Sequence, residues 1–287
     1  MSLQTRALHP LFVAEATGVD IRAPLSTADR DAIVEAMDRY AVLVFRDQPL
    51  SEAQQIEFAL SFGPLDLGLR KVNKSRVAHR FSHEALIDIS NVDVNGKIAD
   101  RNSRKMYSQL ANQLWHSDSS FQQPAARYSM LHSVVNPSRG GETEFADLRA
   151  AWDALPEDMK ALISPLESEH FALYSRMNLG DNAYTEEEKA RLPAVRWPLV
   201  RNHPGSGRKL LWVGIHATRV LDMHVGEGRL LLAELLEHAT QREFVYRHHW
   251  HVGDTLMWDN RATLHRGRRY DLTERRELRR TSTEDVR

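Results

Sequence analysis

DTLMWDNRATLHRG, residues 254–267, places two short apolar runs on either side of a turn. Branched and aromatic side chains in both runs favour β-strands, and Asp259-Asn260 between them is typical of a turn. Similar strand-like runs recur through the second half of the chain, at VRWPLVR, KLLWVG, EFVYRHHW and LRRTST. One amphipathic segment, EGRLLLAELLEHATQ, interrupts them with helical spacing. PGSG, residues 204–207, predicts a turn between two strands.

The first half of the chain adds both helices and strands. Helical spacing occurs in STADRDAIVEAMDRY, DLRAAWDAL and PEDMKALI, and SEAQQIEFALSFG carries a capping box at Ser51 and Gln54 with Gly63 as the stop. AVLVF, YSMLHSVV and ETEFAD read as strands, whereas residues 66–110 lack clear periodicity and resemble loops that cover a site. Many strands with few helices predict a mainly β domain over residues 1–287, an antiparallel sandwich or barrel with flanking helices.

The composition excludes several kinds of site and partner. The chain has 287 residues, a formal net charge of −1 and no cysteine, which rules out disulfides, thiolate metal sites and cysteine nucleophiles. The near-zero charge disfavours nucleic acid, and no apolar run reaches the length of about 18 residues that would predict a membrane span. MSLQTRALHPLF lacks the apolar core of a secretory signal. We expect a soluble, cytoplasmic protein.

A histidine and an aspartate in LWHSDSSF, residues 114–121, raise the question of a metal. On a strand, His116 and Asp118 would point to the same face and could reach one ion. The alternative is a hydrogen-bonded surface pair. His265, far downstream, would complete a set of two histidines and one carboxylate, which suits non-haem Fe(II), although zinc also accepts these ligands. A rival cluster of histidines in YRHHWHVGD lacks an evident carboxylate, and we interpret it as structural or surface.

Arginines follow His265 in RRYDLTERRELRRTS. Most would belong to a solvated basic hairpin. On the strand ELRRTST, however, Leu278 and Arg280 face one way while Glu277 and Arg279 face the other, so an arginine could face the interior. A guanidinium clamps a carboxylate bidentately, and such a clamp beside an open iron site suits a dicarboxylate co-substrate.

Taken together, LWHSDSSFQQPAARYSML, GGETEFADLRAAWDAL, WDNRATLHRGRRYD and RRELRRTST resemble the TauD/TfdA family of Fe(II)- and 2-oxoglutarate-dependent dioxygenases. The resemblance covers almost the whole chain and implies a double-stranded β-helix, or jelly roll. It implies that Fe(II) binds His116, Asp118 and His265. It also implies that Thr143 and Arg276 bind the distal carboxylate of 2-oxoglutarate, that Arg280 contacts the near carboxylate or the substrate anion, and that dioxygen takes the remaining position.

The resemblance also points to an anionic aromatic substrate, an aryloxyacetate such as 2,4-dichlorophenoxyacetate hydroxylated next to the ether oxygen. The residues that match polar positions of such enzymes are Lys71, Asn91, Lys97, His203 and His216. The lysines could instead be solvated loop residues, and His203 could be a core histidine whose hydrogen bonds are satisfied within the protein.

Another carboxylate or sulfonate, such as a cinnamate-like acid or taurine, is the alternative substrate. A zinc hydrolase or a non-catalytic jelly roll are the alternative classes. Homologues tend to be oligomers, so we expect a homo-oligomer.

Overall fold

The computed structural model describes residues 2–68, 80–181 and 183–286. Its strands are β1 (Gln4–Ala7), β2 (Ala14–Thr17), β3 (Val42–Phe45), β4 (Ile87–Ser90), β5 (Ala126–Val135), β6 (Thr143–Asp147), β7 (Glu167–His170), β8 (Val195–Pro198), β9 (Val200–Asn202), β10 (Lys209–Leu211), β11 (Ala217–Val220), β12 (Val245–His248), β13 (Thr255–Asp259), β14 (Thr263–Gly267) and β15 (Glu277–Glu284). Its helices are α1 (Thr27–Tyr40), α2 (Glu52–Leu60), α3 (Arg104–Ala111), α4 (Leu148–Asp153), α5 (Glu157–Ile163), α6 (Tyr174–Met177), α7 (Glu186–Ala190) and α8 (Val225–Ala239), with a 3-10 turn at Arg242–Phe244.

The larger sheet runs in the order β1-β2-β3-β13-β5-β15-β4, and β13 is antiparallel to both of its neighbours. Because side chains alternate along a strand, each central strand contributes to two cores. On one face Leu43, Met130 and Met257 belong to a cluster that includes residues of α1 and α2. On the other face Leu131 and Trp258 belong to a second cluster. The helices therefore cover the outer face of this sheet.

A smaller sheet, in the order β12-β6-β14, lies against the inner face of the larger one. Phe145 of β6 shares the inner cluster with Leu131 and Leu278, and its ring lies 5.4 Å from that of Trp258. Its neighbour Ala146 points outward into a third cluster with residues of α4 and α8. Two facing, mainly antiparallel sheets with helices outside form the predicted jelly roll; only β2 and β3 pair in parallel among the described strands of these two sheets.

Asp259-Asn260 joins the two sheets instead of closing a hairpin. β13 pairs with β3 and β5, whereas β14 pairs with β6 in the other sheet. Asp259 is held at this corner by the guanidinium of Arg261, which donates from Nε (3.0 Å) and Nη2 (2.7 Å). The corner therefore brings the residues after β13, His265 among them, to the mouth of the space between the sheets.

Several local expectations needed correction. His116 makes only an isolated bridge and Asp118 lies in a turn, so the pair does not lie on a regular strand. Residues 66–110 contain β4 and α3, and VRWPLVR is divided between β8 and β9. The capping box of α2 is present, but the helix ends at Leu60, before Gly63. Among the described residues, no helix is both long and apolar enough to cross a membrane.

Candidate metal and co-substrate site

His116, Asp118 and His265 converge at the mouth of the barrel. Their ligand atoms lie within 4.8 Å of one another, and all three residues are buried. The Nε2 atoms of His116 and His265 are 4.0 and 3.8 Å from Asp118 carboxylate oxygens. Main-chain hydrogen bonds in both directions between His116 and His265, of 3.0 and 2.8 Å, tie the turn to β14. Residues distant in sequence thus form one rigid group.

The two imidazoles are suited to metal binding. Nδ1 of His116 donates to the carbonyl of Leu114 at 2.7 Å, which leaves the lone pair of Nε2 free to bind an ion. Burial lowers the pKa of His116, and it lowers that of His265 well below the ordinary value of 6.5. Both rings are therefore neutral near pH 7. Two neutral imidazoles and one carboxylate fit a non-haem Fe(II) centre.

Asp118 is oriented by Arg280, which the sequence predicted as a ligand-binding residue, and by two groups that sequence reasoning missed, Ser129 and Asn260. Ser129 Oγ donates to Asp118 Oδ2 at 2.8 Å, and Arg280 Nη1 donates to Oδ1. The main-chain N–H of Asp118 donates to Asn260 Oδ1 at 3.2 Å, and Asn260 Nδ2 donates to Ser129 Oγ at 2.9 Å. The sequence predicted Asn260 only as a turn residue. Its position at the corner between the sheets turns its amide towards the metal ligand.

Arg276 and Thr143 line a small cavity together with His116, His265 and Arg280. Among the described residues, no carboxylate lies within 4.0 Å of Arg276, whose guanidinium donates to the carbonyl of Gly141 from Nε (3.2 Å) and Nη2 (2.9 Å). Burial lowers the pKa of Arg276 to about 10, so the side chain remains charged at neutral pH. A buried cation without a counter-ion is costly unless an anion binds beside it.

The surroundings of Arg276 and Thr143 prepare them for an anion. Thr143 Oγ1 accepts from Trp250 Nε1 at 3.0 Å, which leaves its own hydroxyl hydrogen to donate. Gly141 has a φ of +74°, and a Cβ there would lie 3.0 Å from Arg276 Nε. Glycine therefore lets the main chain approach the guanidinium closely. This cavity is suited to a carboxylate.

Asn91 has a different role from the predicted one. Its Nδ2 donates to the carbonyls of Leu272 (3.0 Å) and Glu274 (2.7 Å), and its Oδ1 accepts from the main-chain N–H of Arg276 at 2.9 Å. The amide is fully buried and occupied by the chain. Asn91 therefore positions the start of β15 and does not face the substrate.

A larger cavity of about 720 Å³ adjoins the triad, and His216, one of the predicted substrate residues, lines it. The His216 ring is buried, 4.8 Å from Phe121 and 6.3 Å from His116 between ring centres. Burial lowers its pKa well below 6.5, so it is a neutral wall residue. Arg280 also lines this cavity, so it lies between the two spaces.

The remaining predicted substrate residues do not gather here. His203 is fully buried elsewhere, where its Nδ1 accepts from Ser206 N at 3.0 Å and its Nε2 donates to Asp259 at 3.0 Å. It is a core histidine that supports the corner between the sheets. Lys97 is exposed in a turn outside the lining of either cavity. Lys71 lies outside the described residues.

Known proteins are similar to this chain in both fold and sequence. The family described as taurine catabolism dioxygenase TauD, TfdA family, matches residues 4–282. An alpha-ketoglutarate-dependent 2,4-dichlorophenoxyacetate dioxygenase of Cupriavidus pinatubonensis is 58% identical over 285 residues, 99% of each chain. An (S)-phenoxypropionate/alpha-ketoglutarate-dioxygenase of Sphingobium herbicidovorans is 36% identical, over 94% of this chain and 90% of the other. The crystal structure of AAD-2 with Mn(II) and N-oxalylglycine has a TM-score of 0.94 and 45% identity, over 99% of this chain and 98% of that one.

These similarities extend over nearly the whole chain, so they concern the barrel and the site together. Both named relatives use alpha-ketoglutarate, which is 2-oxoglutarate, and the solved neighbour contains a divalent metal. The buried triad and the carboxylate-sized cavity beside Arg276 agree with that chemistry. The chain therefore belongs to the TauD/TfdA family of dioxygenases.

Proposed function

We propose that this enzyme uses Fe(II), 2-oxoglutarate and dioxygen to oxidise an aryloxyacetate such as 2,4-dichlorophenoxyacetate. The carbon between the ether oxygen and the carboxyl group is hydroxylated, and the resulting hemiacetal breaks down to a phenol and glyoxylate. The co-substrate leaves as succinate and CO2. Identity of 58% to a dioxygenase named for 2,4-dichlorophenoxyacetate supports this substrate class.

One observation carries the co-substrate assignment: the buried guanidinium of Arg276 shares a cavity with His116 and His265, the two histidines of the metal triad. A dicarboxylate can chelate a metal at one end and satisfy this cation at the other. Thr143 would donate its hydroxyl to the same distal carboxylate. A zinc hydrolase would have no use for this pair, and the family membership agrees with that argument.

His116, Asp118 and His265 would hold the metal, which leaves positions open for the co-substrate and dioxygen. With Fe(II) bound there, dioxygen would be the oxidant and 2-oxoglutarate the co-reductant for the oxidation of a substrate C–H bond. The chain's own contribution is placement. Ser129 and Arg280 fix the two oxygens of Asp118, and Leu114 fixes the ring of His116. Arg280 is also placed to contact the near carboxylate of the co-substrate.

The first experiment is to load the protein with Fe(II) anaerobically and measure oxygen uptake and succinate formation with 2-oxoglutarate. Aryloxyacetates, phenylacetates, cinnamates and taurine are compared with a control lacking substrate, and phenol release is assayed separately. We expect 2,4-dichlorophenoxyacetate to stimulate turnover strongly and to release its phenol. Stimulation only by another acid would keep the mechanism and change the substrate. Failure to bind 2-oxoglutarate, or full activity in His116→Ala, would contradict the dioxygenase assignment.

We also propose that the enzyme acts in the cytoplasm as a homo-oligomer. The absence of cysteine from the chain is consistent with a reducing compartment. Light scattering during size-exclusion chromatography tests the assembly, and a monomer at working concentrations would contradict it. Cell fractionation tests the location.

A further inference from the structure

The larger cavity is lined by several cationic side chains, and all but one of those in the described part of the chain have an acidic partner. Arg80 pairs with Asp88 and Glu277, Lys105 pairs with Asp88, Arg104 lies 3.9 Å from Glu188, and Arg280 pairs with Asp118. Arg176 is the exception. Among the described residues, no carboxylate oxygen lies within 4.0 Å of its guanidinium, although its side chain lines the cavity.

Arg176 is oriented by the protein and is not a freely mobile surface residue. It lies on α6, is half-buried, and donates from Nε to Ser108 Oγ of α3 at 3.3 Å. This contact uses the inner edge of the guanidinium and leaves both terminal nitrogens for another acceptor. His116 and Asp118 of the triad line the same cavity, so Arg176 faces the space beside the metal site.

An apolar wall stands next to this cation. Leu173, just before α6, and Leu192, just after α7, form a small cluster with Phe121, Met177 and Tyr184. This cluster is separate from the cores between the sheets. Phe121 and Tyr184 line the same cavity as Arg176. An aryl group beside a carboxylate would therefore find both an aromatic surface and a cation.

We propose that Arg176 binds the carboxylate of the primary substrate and selects anionic over neutral substrates. This inference rests on the proposed function. It divides the arginines by role: Arg276 binds the distal carboxylate of the co-substrate, Arg280 holds Asp118 beside the near carboxylate, and Arg176 binds the substrate. Since the carbon to be oxidised is bonded directly to that carboxyl carbon, a cation near the metal can also control which hydrogen faces the iron.

The test compares Arg176→Gln and Arg176→Lys with the wild-type holoenzyme. The probes are 2,4-dichlorophenoxyacetate and its neutral primary amide. Arg104→Gln is the matched control, because Arg104 lines the same cavity but is more than half exposed and already faces Glu188. We expect Arg176→Gln to raise the KM for the acid by roughly 10- to 100-fold, the range expected for losing a charge-assisted hydrogen bond. The KM for the amide should change by less than about threefold, and Arg176→Lys should recover part of the affinity for the acid.

Binding of 2-oxoglutarate and the melting temperature establish that each variant is folded. If Arg176→Gln does not fold, Ser108→Ala takes its place, with an expected rise of a few-fold in the KM for the acid alone. An unchanged KM for the acid in a folded Arg176→Gln, or equal losses for acid and amide, would overturn the inference while leaving the proposed function intact. No turnover of any aryloxyacetate by the wild type would instead overturn the proposed function and the substrate role of Arg176 with it.

Discussion

His116 presents Nε2 to the centre of the site because the carbonyl of Leu114 holds its Nδ1–H. The same principle extends outward. Ser129 and Asn260 are not ligands, yet their hydrogen bonds decide where the carboxylate oxygens of Asp118 point. Such outer groups raise the affinity for the metal, because a coordinating side chain that is not already held in place must be reoriented when the metal binds, and this costs free energy.

Ser129→Ala removes the hydrogen bond to Asp118 Oδ2 and leaves Asn260 without one acceptor. We expect the dissociation constant for Mn(II), used as an air-stable probe, to rise about tenfold, at the low end of the effect of outer-shell changes. Titration of the metal-free protein measures it. Ser133→Ala is the control, since Ser133 lies on the same strand but donates to Asn136. Equal affinities in both variants would contradict the role of Ser129.

Arg276→Gln removes the buried charge that we assign to the co-substrate. The KM for 2-oxoglutarate should rise by roughly 10- to 100-fold, because a charge-assisted pair becomes a neutral contact. The metal-free protein should not lose stability through the missing charge itself, since Arg276 has no acidic partner within the described residues. Arg279→Gln is the matched control on the opposite face of β15, where Arg279 donates to Leu50. An unchanged KM for 2-oxoglutarate in Arg276→Gln would refute the assignment.

At the scale of elements, β15 carries Arg280 to the site, while Leu278 on the same face joins the inner core. Leu278 and Arg280 face inward, whereas Arg279 contacts Leu50 on the outer side, as strand alternation predicts. The strand starts only at Glu277, so Arg276 precedes it in a less regular segment. Asn91, which follows β4, holds that segment in place through hydrogen bonds to three of its main-chain groups.

Asn91→Ala should therefore loosen the start of β15. Three hydrogen bonds are lost in a buried position, for which we expect a loss of about 2–4 kcal/mol in the free energy of unfolding. The KM for 2-oxoglutarate should rise several-fold because Arg276 moves. Urea denaturation and steady-state kinetics measure the two effects. Asn102→Ala, at an exposed position, should change neither. A normal stability for Asn91→Ala would contradict this anchoring role.

Across the whole molecule, burial between and behind the sheets keeps histidines neutral. It lowers the pKa of His132 to about 4 and that of His170 to about 3, while in the unfolded chain both titrate near 6.5. As the pH falls below 6.5, these two histidines therefore become protonated in the unfolded state but stay neutral in the folded state. Their contribution to stability is complete above pH 6.5 and is lost as the pH falls towards 4.

Each such histidine should weaken folding by about 1.4 kcal/mol per pH unit between pH 6 and 4. We expect urea denaturation of the metal-free protein to show a steep loss of stability from pH 7.5 to 5.0, to which the other buried histidines add. His132→Gln removes one of these groups, so its loss over the same interval should be smaller by about 2 kcal/mol. An identical pH dependence in the wild type and the variant would show that His132 is not protonated on unfolding.

Sequence reasoning succeeded where a residue's own strand decides its direction. The opposite faces of Arg279 and Arg280 followed from alternation, and His265 was expected on a strand after the turn at Asp259-Asn260. It was less successful where a loop was involved. Asn91 and His203 were matched to substrate positions by resemblance, yet both are occupied by hydrogen bonds within the chain. The sequence shows that both side chains are polar, but it does not show that their hydrogen-bond partners, Glu274 and Asp259, lie in distant segments.

By itself the sequence determined the strand-rich fold class and the alternation of faces, and through the resemblance it predicted the metal triad together with Arg276 and Thr143. These follow from local periodicity and from motif spacing, which act along the chain. Only the tertiary structure decided that the turn at Asp259-Asn260 joins two different sheets and that Asn260 and Ser129 orient Asp118. It also decided that Arg176 lines the cavity with no acidic partner among the described residues. Those outcomes depend on which distant groups meet, because burial and hydrogen bonding are set by long-range contacts that periodicity does not encode.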